Sequence, residues 1–147
     1  MWLRGSRATP SYRYVGAVAR TRDGGWESLG DNGWLDDDGY LYLGDRVSDM
    51  ILTGGANVYP AEVEAALLEH PTVRSCAVIG LPDDDKGNRI HAIVEADRDT
   101  VDEGALRVFM AERLVSYKLP RTYEFVDAPL RDDAGKVRRG ELRAERL

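Results

Sequence analysis

A chain of 147 residues with 43% hydrophobic side chains has the size of one domain, or one domain with an appendage, and can bury a core. Its formal net charge of −6, from 20 basic and 26 acidic residues, argues against nucleic acid as a main partner, because phosphate binding calls for a basic face. The lone cysteine, Cys76 in VRSCAVIGL, cannot close an internal disulfide or build a metal cage and reads as a buried thiol in a reducing, cytoplasmic setting.

No run approaches the roughly 18 apolar residues of a transmembrane segment. The opening MWLRGSRATPSYRYVG lacks the apolar core of a signal peptide, and WLRG reads as the middle of a strand. Residues 1–44 read as short strands joined by turns at Gly24-Gly25, Asn32-Gly33 and Asp38-Gly39. The last turn leads into Tyr40-Leu41-Tyr42-Leu43, a strand by β propensity. This β-rich region holds too little core to stand alone, so its packing partner is expected outside the chain.

The pattern changes over 45–147. Val47, Met50, Ile51 and Leu52 suggest a short strand ending at Thr53-Gly54-Gly55. Pro60 suits the first turn of a helix, where its missing N–H is not needed; Val63, Ala66 and Leu67 continue at helical spacing, and His70-Pro71 stops the helix. A buried strand is expected over 73–79, and another over 89–96 with Ile90, Ala92 and Val94 on one face. An amphipathic helix is expected over 102–115, with Leu106, Phe109, Met110 and Leu114 inward and Asp102 at its start, where the helix dipole favours an acid. A third strand spans 122–126, and 137–147 reads as a short, charged, solvated helix. The fold class is therefore α+β: a small sheet covered by helices, preceded by a short β-rich remnant.

These stretches also carry a resemblance. The run GDNGWLDDDGYLYLGDRVSDMILTGGANVYPAEVE, then VIGLPDDDKGNRIHAIV, YKLPR and DDAGKVRRGELR, resembles the C-terminal portion of the adenylate-forming enzymes, in order and at about their spacings. That superfamily includes acyl- and aryl-CoA synthetases, peptide-synthetase adenylation domains and luciferases. Within it the chain looks most like CoA ligases of fatty, bile or related hydrophobic acids. The resemblance implies residues 1–44 as the tail of a large AMP-binding domain and 45–147 as a mobile C-terminal lid. It also implies a two-step reaction in which a carboxylate attacks ATP to give an acyl-adenylate, and CoA then displaces AMP. ATP and CoA are the implied substrates, with Mg2+ accompanying ATP and held mainly by the large domain.

The site residues implied by the resemblance are few. Asp31 matches the aspartate that holds the nucleotide ribose; a carboxylate can accept from two neighbouring hydroxyls, although an aspartate before Asn32-Gly33 is also an ordinary turn residue. Arg46 matches an arginine that reaches the same ribose, its plainer alternative being a surface pair with Asp45 or Asp49. Ser48 falls at the hinge, where relatives carry aspartate or lysine; Asp49 is the alternative. Gly54 and Gly55 match the loop along which the pantetheine arm passes, and would equally serve an ordinary turn. Lys136 matches the family's Gly-Lys, whose ammonium stabilises negative charge gathering on the α-phosphate during adenylation. His70 and His91 stand too isolated for a metal site, and Asp36–Asp38 and Asp83–Asp85 read as solvated turns, so no metal site is expected.

The ATP phosphate loop and the acid pocket are missing from these motifs. The chain is thus expected to be a C-terminal fragment, inactive alone and working with a large AMP-binding domain in cis or trans; a homo-oligomer is allowed. The alternatives are a lid serving a carrier protein's phosphopantetheine, for which a following carrier domain would be expected, and a standalone regulatory or binding module.

Overall fold

The computed structural model describes residues 1–5, 15, 18–97 and 99–147. Most of the stretch read above as lacking a signal-peptide core (its residues 6–14 and 16) lies outside the described residues. The chain divides into two compact units, Met1–Ser48 and Asp49–Leu147.

The first unit is made of strands. β1 (Trp2–Arg4), β2 (Arg20–Arg22) and β3 (Trp26–Ser28) form an antiparallel sheet in the order β1-β3-β2. The Arg22 guanidinium lies 3.8 Å from the Trp2 ring centre, a cation–π contact. β4 (Asp31–Leu35) and β5 (Leu41–Arg46) form a separate hairpin. Its turn is organised by Asp36, whose carboxylate accepts from the Asp38 and Tyr40 amides at 3.1 and 2.8 Å and from the Tyr42 hydroxyl at 2.9 Å. The turn expected at Asn32-Gly33 is not formed; both residues lie inside β4, next to a register shift between Asp31 and Gly33. Gly33 is required by close approach rather than by a turn, since a Cβ there would stand 2.6 Å from the Tyr42 carbonyl oxygen. None of the described residues of this unit is buried. Trp34 stacks on Tyr42 at 5.1 Å, yet it is 61% exposed, beside exposed Leu35 and Leu43.

The second unit has a core on both faces of a sheet. A single 3-10 turn, Val47–Asp49, replaces the strand expected at Val47. The hairpin of β6 (Ile51–Thr53) and β7 (Ala56–Val58) leads into α1 (Pro60–Leu68), which starts on proline as expected. β8 (Val73–Asp83) and β9 (Gly87–Ala96) form a long antiparallel hairpin, and β10 (Thr122–Val126) lies parallel to β9, giving the order β10-β9-β8. α2 (Glu103–Ala111) is capped by Asp102, whose carboxylate accepts from the Ala105 amide at 2.6 Å. It ends earlier than the expected 115, and Leu114 instead packs against the core from the chain beyond it. A 3-10 turn (Ser116–Lys118) precedes β10, and α3 (Arg139–Ala144) closes the chain.

Alternation along β8 explains the layering. Cys76 and Val78 join Ala92 and Val94 of β9 in a core with Val63 and Leu67 of α1 and Leu106 and Met110 of α2. Ala77 and Ile79 turn the other way with Ile93, and are covered by Val126, Leu130, Val137 and Leu142. The architecture is the expected α+β arrangement, with helices α1 and α2 on one face and the C-terminal segment on the other.

Candidate functional site

In the first unit Asp31 opens β4 directly across the ladder from Arg46, which closes β5. Their side chains approach to 3.6 Å and are 26% and 71% exposed respectively. So open a pair is worth roughly 0–1 kcal/mol. It adds little to stability, and it leaves a carboxylate and a guanidinium side by side at a sheet end, where a polyhydroxylated ligand can reach both.

Ser48 and Asp49 lie in the 3-10 turn, and the division between the two units falls between them. Gly54 and Gly55 make the β6–β7 turn with φ of 54° and 82°, a region that other L-residues rarely adopt. The Gly54 amide donates to the Lys86 carbonyl at 3.0 Å, anchoring the turn to the β8–β9 hairpin. A Cβ on Gly55 would meet nothing within 4 Å. The glycines are thus demanded by backbone conformation, and Gly55 faces open space.

Lys136 sits in a hairpin closed by a bridge between Arg131 and Val137. Asp132 organises it: its amide donates to the Lys136 carbonyl at 3.0 Å, while its carboxylate accepts from the Lys136 and Ala134 amides at 2.9 and 3.0 Å. The Lys136 N–H, and then the Arg138 guanidinium, hold the Asp132 carboxyl below its usual range. Gly135 takes φ 73°. The Lys136 side chain is exposed, and its ammonium makes no salt bridge among the described residues. The backbone beneath the lysine is therefore fixed while its charge is uncommitted.

The basic tail does not behave as a solvated helix. Arg139, at the start of α3, places Nη2 2.7 and 2.9 Å from the two carboxylate oxygens of Glu64 on α1, and Nη1 3.2 Å from Asp49. Glu64 is only 6% exposed and also accepts from the Val78 amide at 2.9 Å. Arg143 donates to the Gly80 carbonyl at 2.8 Å. Arg146 forks onto Glu124 at 2.7 and 2.8 Å. Sequence reasoning passed over this network. The available signal was Glu64 itself, an acid on the apolar side of α1 beside Val63 and Leu67, where a buried charge calls for a partner.

His91 is not isolated either. It is 7% exposed, with Nδ1 2.7 Å from the Thr122 hydroxyl and Nε2 3.3 Å from Glu124. Burial pushes its pKa down, against the opposing pull of Glu124. Burial also pushes the Cys76 thiol up to about 12, with the Glu64 charge adding to the effect. Among the described residues no three His, Cys, Asp or Glu side chains gather as a metal site would require. No helix among the described residues is long and apolar enough to cross a membrane.

Residues 62–136 match the family model of the AMP-binding enzyme C-terminal domain. A 2-succinylbenzoate–CoA ligase of Geobacillus kaustophilus is 46% identical over 96% of this chain, which spans 29% of that enzyme. A fatty acid–[acyl-carrier-protein] ligase, ScoC of Streptomyces coeruleorubidus, is 44% identical over 86% of this chain and 24% of its own length. Among solved structures, a Mycobacterium tuberculosis fatty acyl CoA synthetase superposes with a TM-score of 0.72 at 45% identity, covering 84% of this chain and 25% of that one. The chain belongs to the AMP-binding enzyme C-terminal domain family, and it spans 24–29% of the length of these adenylate-forming relatives.

Proposed function

We propose that this chain is the C-terminal part of an AMP-forming acid–CoA ligase, cytoplasmic and acting on a fatty, bile or related hydrophobic carboxylic acid. In this reading residues 1–44 complete a large AMP-binding domain, and 45–147 are the lid that swings over it. The observation that carries it is Lys136: an exposed ammonium without an ion-pair partner among the described residues, on a hairpin whose backbone is already fixed.

In the first step the substrate carboxylate attacks the α-phosphorus of ATP, and pyrophosphate leaves with the electrons of the broken P–O bond. Negative charge grows on the α-phosphate oxygens as the new bond forms. Lys136 bridges the incoming carboxylate and that phosphate, so its charge lies where the transition state needs it. Asp31 accepts from the ribose hydroxyls, with Arg46 beside it. In the second step the CoA thiol attacks the acyl carbonyl of the adenylate and AMP departs, the pantetheine arm passing the Gly54-Gly55 turn. Ser48 and Asp49 form the hinge, a reading supported by the division of the chain between them. Mg2+ enters with ATP and is held mainly by the large domain. That domain, in cis or trans, is the obligatory partner, and the enzyme can form a homo-oligomer.

The exposed apolar residues Trp34, Leu35 and Leu43 support the missing-partner reading, because an unburied apolar surface marks an interface. A second reading, transfer to a carrier protein instead of CoA, draws support from the acyl-carrier-protein ligase among the relatives.

The test joins the chain to the large domain of a related ligase and follows ATP–pyrophosphate exchange over a panel of acids. The chain alone should give none, the joined protein should exchange, and Lys136→Ala should lower the rate about 10²–10³-fold. Failure with every acid, or an unaffected Lys136→Ala, refutes the proposal. Offering CoA and carrier protein as acceptors separates the two readings.

A further inference from the structure

Resting on that reading of Lys136, we infer that Arg139 is a positioning residue for adenylation: it fixes the lysine-bearing hairpin to α1 and to the first residue beyond the junction of the two units. The chain from Lys136 runs through Val137 and Arg138 directly into Arg139. The guanidinium of Arg139 then ties this segment to two carboxylates. Its Nη2 lies 2.7 and 2.9 Å from Glu64, its Nε lies 3.2 Å from the same carboxylate, and its Nη1 lies 3.2 Å from Asp49.

The geometry favours a directional tether over a general charge effect. A guanidinium presents its N–H groups in a fixed planar fork, so pairing with both Glu64 oxygens sets orientation as well as distance. Glu64 cannot follow a drifting partner, because it is buried in the helix face and its Oε1 also accepts the Val78 amide of the central sheet. Val137 and Leu142 press the same segment against the second core cluster, but apolar contacts resist lifting better than sliding. Arg139 stops the slide. Asp49 on the same guanidinium brings the start of the second unit into register with the lysine hairpin, so the two are carried as one body.

The experiment uses the complete ligase, this chain joined to its large domain, with adenylation read by pyrophosphate exchange. Arg139→Met should lower kcat of adenylation roughly 10- to 100-fold, the scale expected when a reacting group is misplaced by about 1 Å. Arg139→Lys keeps the charge and loses the fork, and should recover part of the rate. All variants are assayed well below their unfolding transitions. The decisive comparison is on the Lys136→Ala background. A residue that acts through Lys136 has nothing left to position, so Arg139→Met should change the residual rate by less than about twofold. If Arg139→Met multiplies its full effect on that background, its role is general folding and the inference falls. It also falls if both Arg139 variants match the wild type while Lys136→Ala is impaired. A silent Lys136→Ala would remove the underlying function proposal itself, which is a separate and recognisable result.

Discussion

The pair between Arg139 and Glu64 makes a stability prediction that needs no enzyme assay. Arg139→Met removes the guanidinium and leaves the Glu64 carboxylate, whose side chain is 8% exposed, with the Val78 amide as its remaining donor in this network. Removing one partner of a buried pair typically costs about 3–5 kcal/mol, because the survivor is left charged and dry. Here the low end applies. The Arg139 side chain is 22% exposed, so water reaches part of the vacated space. The expected loss is thus about 3 kcal/mol, read as a lower urea midpoint at unchanged m. Glu64→Gln/Arg139→Met removes the stranded charge while the Gln carbonyl can still accept from Val78, and should recover about 2 kcal/mol of that loss. Urea unfolding of the 147-residue chain, followed by circular dichroism, measures all three proteins. A loss under about 1 kcal/mol for Arg139→Met, or a double variant less stable than the single, would refute the argument that Glu64 is held as a buried charge.

Stability should also fall on mild acidification, and His91 sets the window. Its folded pKa is depressed from 6.5, chiefly by burial, so the unfolded chain takes up the proton first. The His91 contribution is therefore complete above pH 6.5 and is lost as pH falls through the lower folded value. Glu124 is depressed from 4.5, chiefly by Arg146, so its contribution follows at lower pH. His91→Gln should flatten the first part of the stability profile, and an unchanged slope between pH 7 and 5.5 would contradict it. At the β6–β7 turn, Gly55→Ala meets no atom yet must hold φ near 82°. It should cost about 1–2 kcal/mol from backbone conformation alone, measurable by thermal unfolding, and a neutral substitution would show that the turn relaxes freely.

What the sequence disclosed depended on how local the cause was. α1 begins at Pro60 and β10 occupies 122–126 as expected, because a proline at a helix start and a short run of β-branched and aromatic residues act within a few residues. Asn32-Gly33 misled for the same reason. It is a turn dipeptide by composition, but pairing with β5 draws it into a strand where the bare glycine admits the Tyr42 carbonyl. The tail arginines were legible as charges and illegible as anchors, since the carboxylates that hold Arg139 lie 75 and 90 residues away in sequence. Asp31, Arg46, Gly54, Gly55 and Lys136 came from resemblance to relatives. Nothing in their periodicity singles out a lysine with an uncommitted charge from one on any exposed turn.

Their placement nonetheless has a common physical logic. Asp31 and Arg46 stand at the end of a ladder, Gly54 and Gly55 at the tip of one hairpin, and Lys136 near the tip of another. Each is a point where the backbone leaves a regular element, so a side chain or amide can meet a ligand without opening a packed layer. In the second unit that freedom is confined to the tips, because β8 and β9 bury both faces of the sheet beneath them. Hydrogen bonds then fix the bases of two of those tips: Asp132 and, just beyond the lysine, the Arg139–Glu64 pair secure the Lys136 hairpin, and the Lys86 carbonyl holds Gly54. Under the proposed function, a lid that presents different groups at different steps needs this combination, since a soft core would spread each group over many positions and lose the alignment on which the rate depends. The first unit follows a different rule. It has no buried residue among those described, so under the proposed function its order comes from the large domain it would pack against, and the pair Asp31–Arg46, proposed to hold the ribose, is expected to reach its working geometry only when that surface is covered.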